Sequence, residues 1–363
     1  MSLASDINKL IKERLSLYED AEGKGPDFYF DRSSYHPMGD GKYLQAICEL
    51  HRTKQLSSQN FNAKVSQVLP RLSSTVITVP GNAGVCWGLG WSWRELPEDE
   101  PFLITSAIVT KGLISASKIN NQNNELSSLT ERGVVGLNDW FLSLNVQVDD
   151  QIHLPVYSPS ITEPIFNTAA CALSVLKLAN DEGYETVDLK VINDCLNWIY
   201  AKRIDGLGWT YSKHNMTVDL LHQCYILNSC ADVLGCGVIE RETVELLGQF
   251  SFSDNYLDAV RVLEHSRVAF QEDALTIYRK IPGWEIEILN KPARLWSLGE
   301  LLSVISRLVI DGRHSKFWQQ LGRALSIRLI SVFEACNEET KFPRHSMHAI
   351  HGLSCFLGSI KLS

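Results

Sequence analysis

Two kinds of helical segment alternate along this chain of 363 residues, and that alternation constrains the fold more than any other feature. One kind follows an aromatic or polar loop and is apolar nearly all round. It recurs as "SSYHPMGDGKYLQAICEL" from Ser33, "WSWRELPEDEPFLITSAIVTKGL" from Trp91 and "VYSPSITEPIFNTAACALSVLKLA" from Val156. It returns as "GWTYSKHNMTVDLLHQCYILNSC" from Gly208, "KPARLWSLGELLSVISRLVI" from Lys291 and "KFPRHSMHAIHGLSCFLGSI" from Lys341. The other kind has a charged and an apolar face, as in "SQNFNAKVSQVLPRL", "NELSSLTERGVVGLNDWFLSL", "TVDLKVINDCLNWIYAKR" and "HSKFWQQLGRALSIRLISVFEA". A helix apolar on every side is buried on every side, and a two-faced helix lies at a surface.

With the N-terminal amphipathic segment and one near residues 239–250, each kind numbers six. The expected fold is all-α: an (α/α)6 toroid, or six-hairpin barrel, spanning 1–363 as one domain. Successive units start roughly 50 to 65 residues apart, except for a gap of roughly 80 from the fourth to the fifth. The excess, about residues 251–290, is expected to be a helical insertion. The rival arrangement is an open α-solenoid. Closure is favoured because every inner helix is preceded by a loop rich in proline, tryptophan and other polar-tipped aromatics.

Bulk properties narrow the function. The chain is 45% hydrophobic and 21% charged, with a net charge of −8 and no basic block, so nucleic acid is not an expected partner. No signal-peptide core and no bilayer-length apolar run is present, which predicts a cytoplasmic protein without a membrane span. Nine cysteines lack CxxC pairs and read as buried free thiols. Neither a metal nor a cofactor is expected, and "GDGK" at 39–42 is not a phosphate-binding loop.

In a toroid the inner helices run parallel, so the loops preceding them meet at one mouth. The loops supply Tyr35, His36 and Asp40; Trp87, Trp91, Trp93, Arg94, Glu98, Asp99 and Glu100; Tyr157, Glu163 and Asn167. They also supply Trp209, Tyr211, His214, Asp219 and His222; Arg294 and Trp296; Arg344, His345 and His348. Any one acid here can be a helix cap, and His222, one turn beyond Asp219, can simply bond to it. Taken together they suit a sugar. Aromatic faces stack on sugar rings, carboxylates serve as general acid and base, and arginines bind anionic groups. The candidate catalytic residues are Asp219, His222, Glu163 and Asp99. The candidate binding residues are Trp91, Trp93, Tyr157, Trp209, Tyr211, Arg294, Trp296, Arg344 and His348.

The run "GLGWSW…PFLITSAIV", "YSPS…EPIFNTAACALSVL", "DGLGWTYSKHNMTVDLLHQCYIL" resembles bacterial toroid proteins of surface-polysaccharide biosynthesis clusters. Their DGSW-Y segment and Asp-x-x-His helix start correspond to Asp205, Gly206, Gly208, Trp209, Tyr211, Asp219 and His222, with the first element stretched to "DGLGW". The match spans roughly residues 84–235. More broadly the layout is similar to six-hairpin glycosidases, polysaccharide lyases and sugar epimerases. The resemblance implies a glycan context and this fold, and leaves the reaction open. The alternatives are a non-catalytic glycan-binding or assembly protein and a terpene-cyclase-like toroid. The latter lacks a complete DxDD box, since "QVDDQ" at 147–151 misses the first acid. Lanthionine-type cyclases are set aside because no Cys-His-Gly zinc element occurs.

Overall fold

The computed structural model describes residues 2–27, 30–79, 81, 83–204, 208–215, 218, 220–250, 276–280, 287–291, 295–312, 315–335 and 338–362. Among them are twelve α-helices. The outer set is α1 (Leu3–Asp20), α3 (Ser58–Ser74), α5 (Asn124–Ser143), α7 (Leu189–Ala201), α9 (Cys236–Phe250) and α11 (Ser315–Glu334). The inner set is α2 (Pro37–Arg52), α4 (Leu103–Ile119), α6 (Phe166–Asp181), α8 (Leu220–Leu234), α10 (Leu295–Asp311) and α12 (Pro343–Leu362).

The inner helices pack in the cyclic order α2, α4, α6, α8, α10, α12, with α12 returning to α2. The ring is therefore closed, which excludes the open solenoid. Contacts at matching depths show that the inner helices run parallel. Near the helix starts Arg344 meets Trp296, in mid-helix Lys42 pairs with Glu300, and near the ends Arg307 pairs with Asp232. Two seams of the ring are backbone-close. A Cβ on Gly112 of α4 would lie 2.6 Å from the Gly41 carbonyl of α2, and one on Gly352 of α12 would overlap the Gly299 carbonyl of α10. Only glycine permits such approach.

Inner and outer helices also begin differently. Outer helices open on side-chain caps: Ser2, Ser57, Asn123 and Asp188 each accept a backbone N–H from the first turn. The inner helices α2, α4 and α6 open on His36, Phe102 and Ile165, which make no side-chain cap bond. Their free N–H groups are met by neighbouring loops. Leu103 donates to the Tyr157 carbonyl and Phe166 to the Tyr211 carbonyl, each at 3.0 Å. Each loop thus caps the helix of the preceding hairpin and ties consecutive hairpins together.

Short antiparallel ladders stiffen these outer-to-inner connections: β1–β2 (Lys24–Asp27 with Phe30–Tyr35), β3–β4 (Val76–Ile77 with Cys86–Trp87) and β5–β6 (Asn145–Asp149 with Ile152–Pro155). A fourth, β7–β8, pairs Thr276–Lys280 with Glu287–Lys291. The described parts of the expected helical insertion are therefore strands, and residues 251–275 lie outside the described residues.

Asp40 is not a cap. It is buried, accepts hydrogen bonds from Tyr18 (3.0 Å) and Tyr35 (2.6 Å), and binds Arg71 through two nitrogens at 2.7 and 3.0 Å. It locks α1, α2 and α3 together. Eight described cysteines are free thiols, six of them buried. None of the described helices is long and apolar enough to cross a membrane.

Candidate functional site

The parallel inner helices bring their leading loops to one mouth, whose two flanks differ. On the α4–α6–α8 flank, Trp93, Tyr157, Glu163, Tyr211 and His222 are all half-buried. Trp93 and Tyr157 both meet the Phe102 ring edge-on, at 6.0 and 5.3 Å, and each other at 6.2 Å. Arg94, held in left-handed backbone (φ 56°), lays its guanidinium over Trp93 at 4.4 Å. Tyr211 and His222 meet edge-on at 4.6 Å. The Glu163 carboxylate accepts the Ser212 hydroxyl and the His214 N–H (3.3 Å), and the Glu163 carbonyl accepts the Tyr157 N–H at 3.3 Å. One residue therefore ties the loop before α6 to the loop before α8.

Trp209 belongs to this flank in sequence but not at its surface. It is 2% exposed, its indole N–H donates to the Tyr200 carbonyl, and Gln223 brackets its backbone N–H and carbonyl at 2.8 and 2.6 Å. It anchors the loop to α7 and α8. Asp99 is exposed on the loop before α4, while its neighbour Glu100 is buried and accepts the Ser160 N–H at 3.0 Å.

The α10–α12–α2 flank is filled by its own side chains. Arg344 is 5% exposed and pairs with buried Asp27 at 3.0 Å. Its guanidinium lies 5.2 Å from the Trp91 ring and 4.5 Å from the Trp296 ring. His345 stacks on Trp296 at 4.3 Å, and His36 packs on Trp91 at 4.9 Å while bonding the Gly25 carbonyl at 3.1 Å. His348 is fully buried; one ring nitrogen is 2.6 Å from the Tyr225 hydroxyl and the other 2.7 Å from the Arg344 carbonyl. Burial, with the charge of Lys42 adding to it, holds His348 well below the ordinary histidine range. Burial likewise brings His36 down to about 4, against the opposing Gly25 bond. Both rings are neutral near pH 7.

The structure thus groups Trp93, Tyr157, Glu163, Tyr211 and His222 on one flank and Trp91, Trp296, Arg344 and His348 on the other. Asp219 and Arg294 lie outside the described residues. Among the described residues, no group of three His, Cys, Asp or Glu side chains is placed to hold a metal ion. Sequence reasoning did not single out Asp27 or Tyr225, whose partners Arg344 and His348 are 317 and 123 residues away. It also passed over Lys42, Lys111 and Glu300. Their signal was available: they are charges inside helices otherwise apolar on every side.

No protein-family model and no curated protein matches the chain. Solved structures do. PssZ from Listeria monocytogenes is similar with a TM-score of 0.52 and 13% identity, over 91% of this chain and 89% of that one. Cellobiose 2-epimerase from Bacillus thermoamylovorans B4167 is similar with a TM-score of 0.54 and 11% identity, over 89% of this chain and 85% of that one. At such identities the likeness speaks to architecture, and it agrees with the closed ring of helices: the chain has the (α/α)6 toroid fold.

Proposed function

We propose that the half-open flank is a sugar site and that the protein is a carbohydrate-active enzyme working on a glycan or an activated sugar. The observation that carries this reading is the grouping of three half-buried aromatics, Trp93, Tyr157 and Tyr211, with the Glu163 carboxylate and the His222 imidazole on one rim. Aromatic faces offer stacking surfaces for sugar rings. A structural neighbour named for its action on cellobiose supports the class of ligand.

In this reading Asp219 is the catalytic carboxylate. His222, one turn along from it, orients it or relays its proton. Glu163 is the partner carboxylate, fixed by Ser212 and His214, in preference to the exposed Asp99. Hydrolysis, elimination and epimerisation each need one group to deliver a proton and one to take it, and this set provides both. Trp91, Trp209, Trp296, Arg344 and His348 shape the mouth from below and beside it, and Arg294 stands as a clamp for an anionic group.

The test is a panel of neutral oligosaccharides, uronic-acid oligosaccharides and nucleotide sugars, read by thermal shift and by product analysis. A member of the panel raises Tm and is converted. Asp219→Asn and Glu163→Gln abolish conversion and leave Tm within a few degrees. A panel without any binder would sink the reading, and a variant that unfolds would make its residue a structural one. The engagement of Glu163 by Ser212 also suits a binding protein in which no proton moves; binding without conversion in the same panel identifies that case.

A further inference from the structure

A concavity lies on the ring axis, away from the residues of the mouth. It is a cavity of about 190 Å³ lined by all six inner helices. Its floor is set by Lys42, Tyr225 and Glu300, each at most 5% exposed. Exposure rises along the helices to Arg52 and Ile310, the latter 54% exposed. The chamber therefore opens at the trailing ends of the inner helices, opposite the sugar site. The Tyr225 hydroxyl, bonded to His348, separates the two.

The charges of its wall do not balance. Lys42, Arg52, Lys111 and Arg307 face two carboxylates, Glu49 and Glu300. Lys42 is paired with Glu300, Arg52 with Glu49 at 2.6 Å, and Arg307 with Asp232 at 2.8 Å. Among the described residues the Lys111 ammonium makes no hydrogen bond or ion pair, and the Asp232 carboxylate, itself paired with Arg307, acts on it only from a distance. Burial, reinforced by the Arg307 charge, lowers its proton affinity. An unpaired ammonium in such a place is costly, and an anion beside it removes that cost. A second group points the same way. The side-chain carbonyl of buried Asn228 has no hydrogen-bond partner among the described residues, while its amide nitrogen sits 3.4 Å from Glu300. A buried acceptor of this kind calls for a donor such as a hydroxyl. Ser229, Ser303 and Ser306 add further polar groups to the wall.

We propose that this axial chamber binds a small hydroxylated anion, with its carboxylate or phosphate on Lys111 and a hydroxyl on Asn228. The volume is that of about six waters of liquid, which suits a compact ligand of three to six carbons. The negative ends of the inner-helix dipoles surround the opening, which favours an anionic group held inside the chamber at Lys111 over one held at the rim.

The probes are glycerate, glycerol 3-phosphate and glucuronate, with inorganic phosphate, glycerol and glucose as controls, all at one ionic strength and read by thermal shift and calorimetry on the full chain. At least one hydroxylated anion raises Tm by about 2 °C or more at millimolar concentration, because a ligand of the folded state stabilises it. The neutral sugars and glycerol do not. Glycerate against glycerol 3-phosphate distinguishes the carboxylate from the phosphate. Lys111→Met raises Kd at least tenfold and leaves the ligand-free Tm equal to or above that of the wild type. Lys111→Arg retains binding. Asn228→Asp, which adds a negative charge across the chamber, abolishes it and serves as the test should Lys111→Met fail to fold. The proposal is overturned if no hydroxylated anion shifts Tm, or if Lys111→Met or Asn228→Asp binds as the wild type does. Equal affinity for inorganic phosphate and glycerol 3-phosphate would overturn the part assigned to Asn228.

Discussion

Arg94 and Arg344 make the same contact in different surroundings. Each lays a guanidinium over a tryptophan, at 4.4 Å for Arg94 on Trp93 and 4.5 Å for Arg344 on Trp296. Arg94 does so exposed, on the α4–α6–α8 flank of the mouth. Arg344 does so buried, with Trp91 on another side and Asp27 closing the ion pair. The inner backbones differ in the same sense. Along the α10–α12 and α2–α4 seams, glycines let the helices nearly touch, whereas α6 and α8 contain no glycine. Aromatic and basic residues at the mouth of a toroid are therefore not equivalent. On the tight flank they complete the core, and on the looser one they stay half-buried or exposed.

Breaking the buried pair has the largest expected effect. Arg344→Met strands the Asp27 carboxylate and costs about 3–5 kcal/mol, measured by urea denaturation. Mild acid attacks the same flank next. The folded-state value of His36, about 4, lies below its ordinary 6.5, so the unfolded chain takes up the proton first. Stability is then full above about pH 6.5 and falls as pH drops toward 4, by up to about 1.4 kcal/mol per unit for this residue alone. His348, lowered in the same direction, adds to the loss. A flat stability profile between pH 7 and 4.5 would contradict the neutral, buried histidines described here.

Gly352→Ala, which places a methyl against the Gly299 backbone, costs about 1–3 kcal/mol or more and shifts the denaturation midpoint accordingly. The smallest effect belongs to Arg94→Ala, below about 1 kcal/mol, because its contact is exposed. If Arg94→Ala proves as damaging as Arg344→Met, the distinction between the flanks fails.

The twelve helices were legible because burial leaves a periodic trace. Two-faced segments became the outer helices, and segments apolar on every side became the inner ones. The ladders were less legible, since β3 and β4 pair over two residues each and pairing is a property of the fold rather than of the segment. The insertion reads as helical, yet its described parts pair as strands, for the same reason. At the mouth the residue types were legible and their duties were not. Asp40 looked like a cap, yet its partners Tyr18 and Arg71 come from 22 and 31 residues away. Trp209 and Tyr211 are two residues apart, and only the fold, through Tyr200 and Gln223, shows that Trp209 faces inward. Local sequence records how much water a side chain will meet; it does not record which distant group will meet it.

Ring closure also orders events during synthesis. A linear stack of hairpins can settle unit by unit as the chain emerges, but here α2 has α12 as one of its two neighbours. Asp27, in the first ladder, must wait 317 residues for Arg344. Until then the nascent chain holds an apolar face and a lone carboxylate open to water and to wrong partners. The last helix of the ring works as a clasp between the first and fifth inner helices.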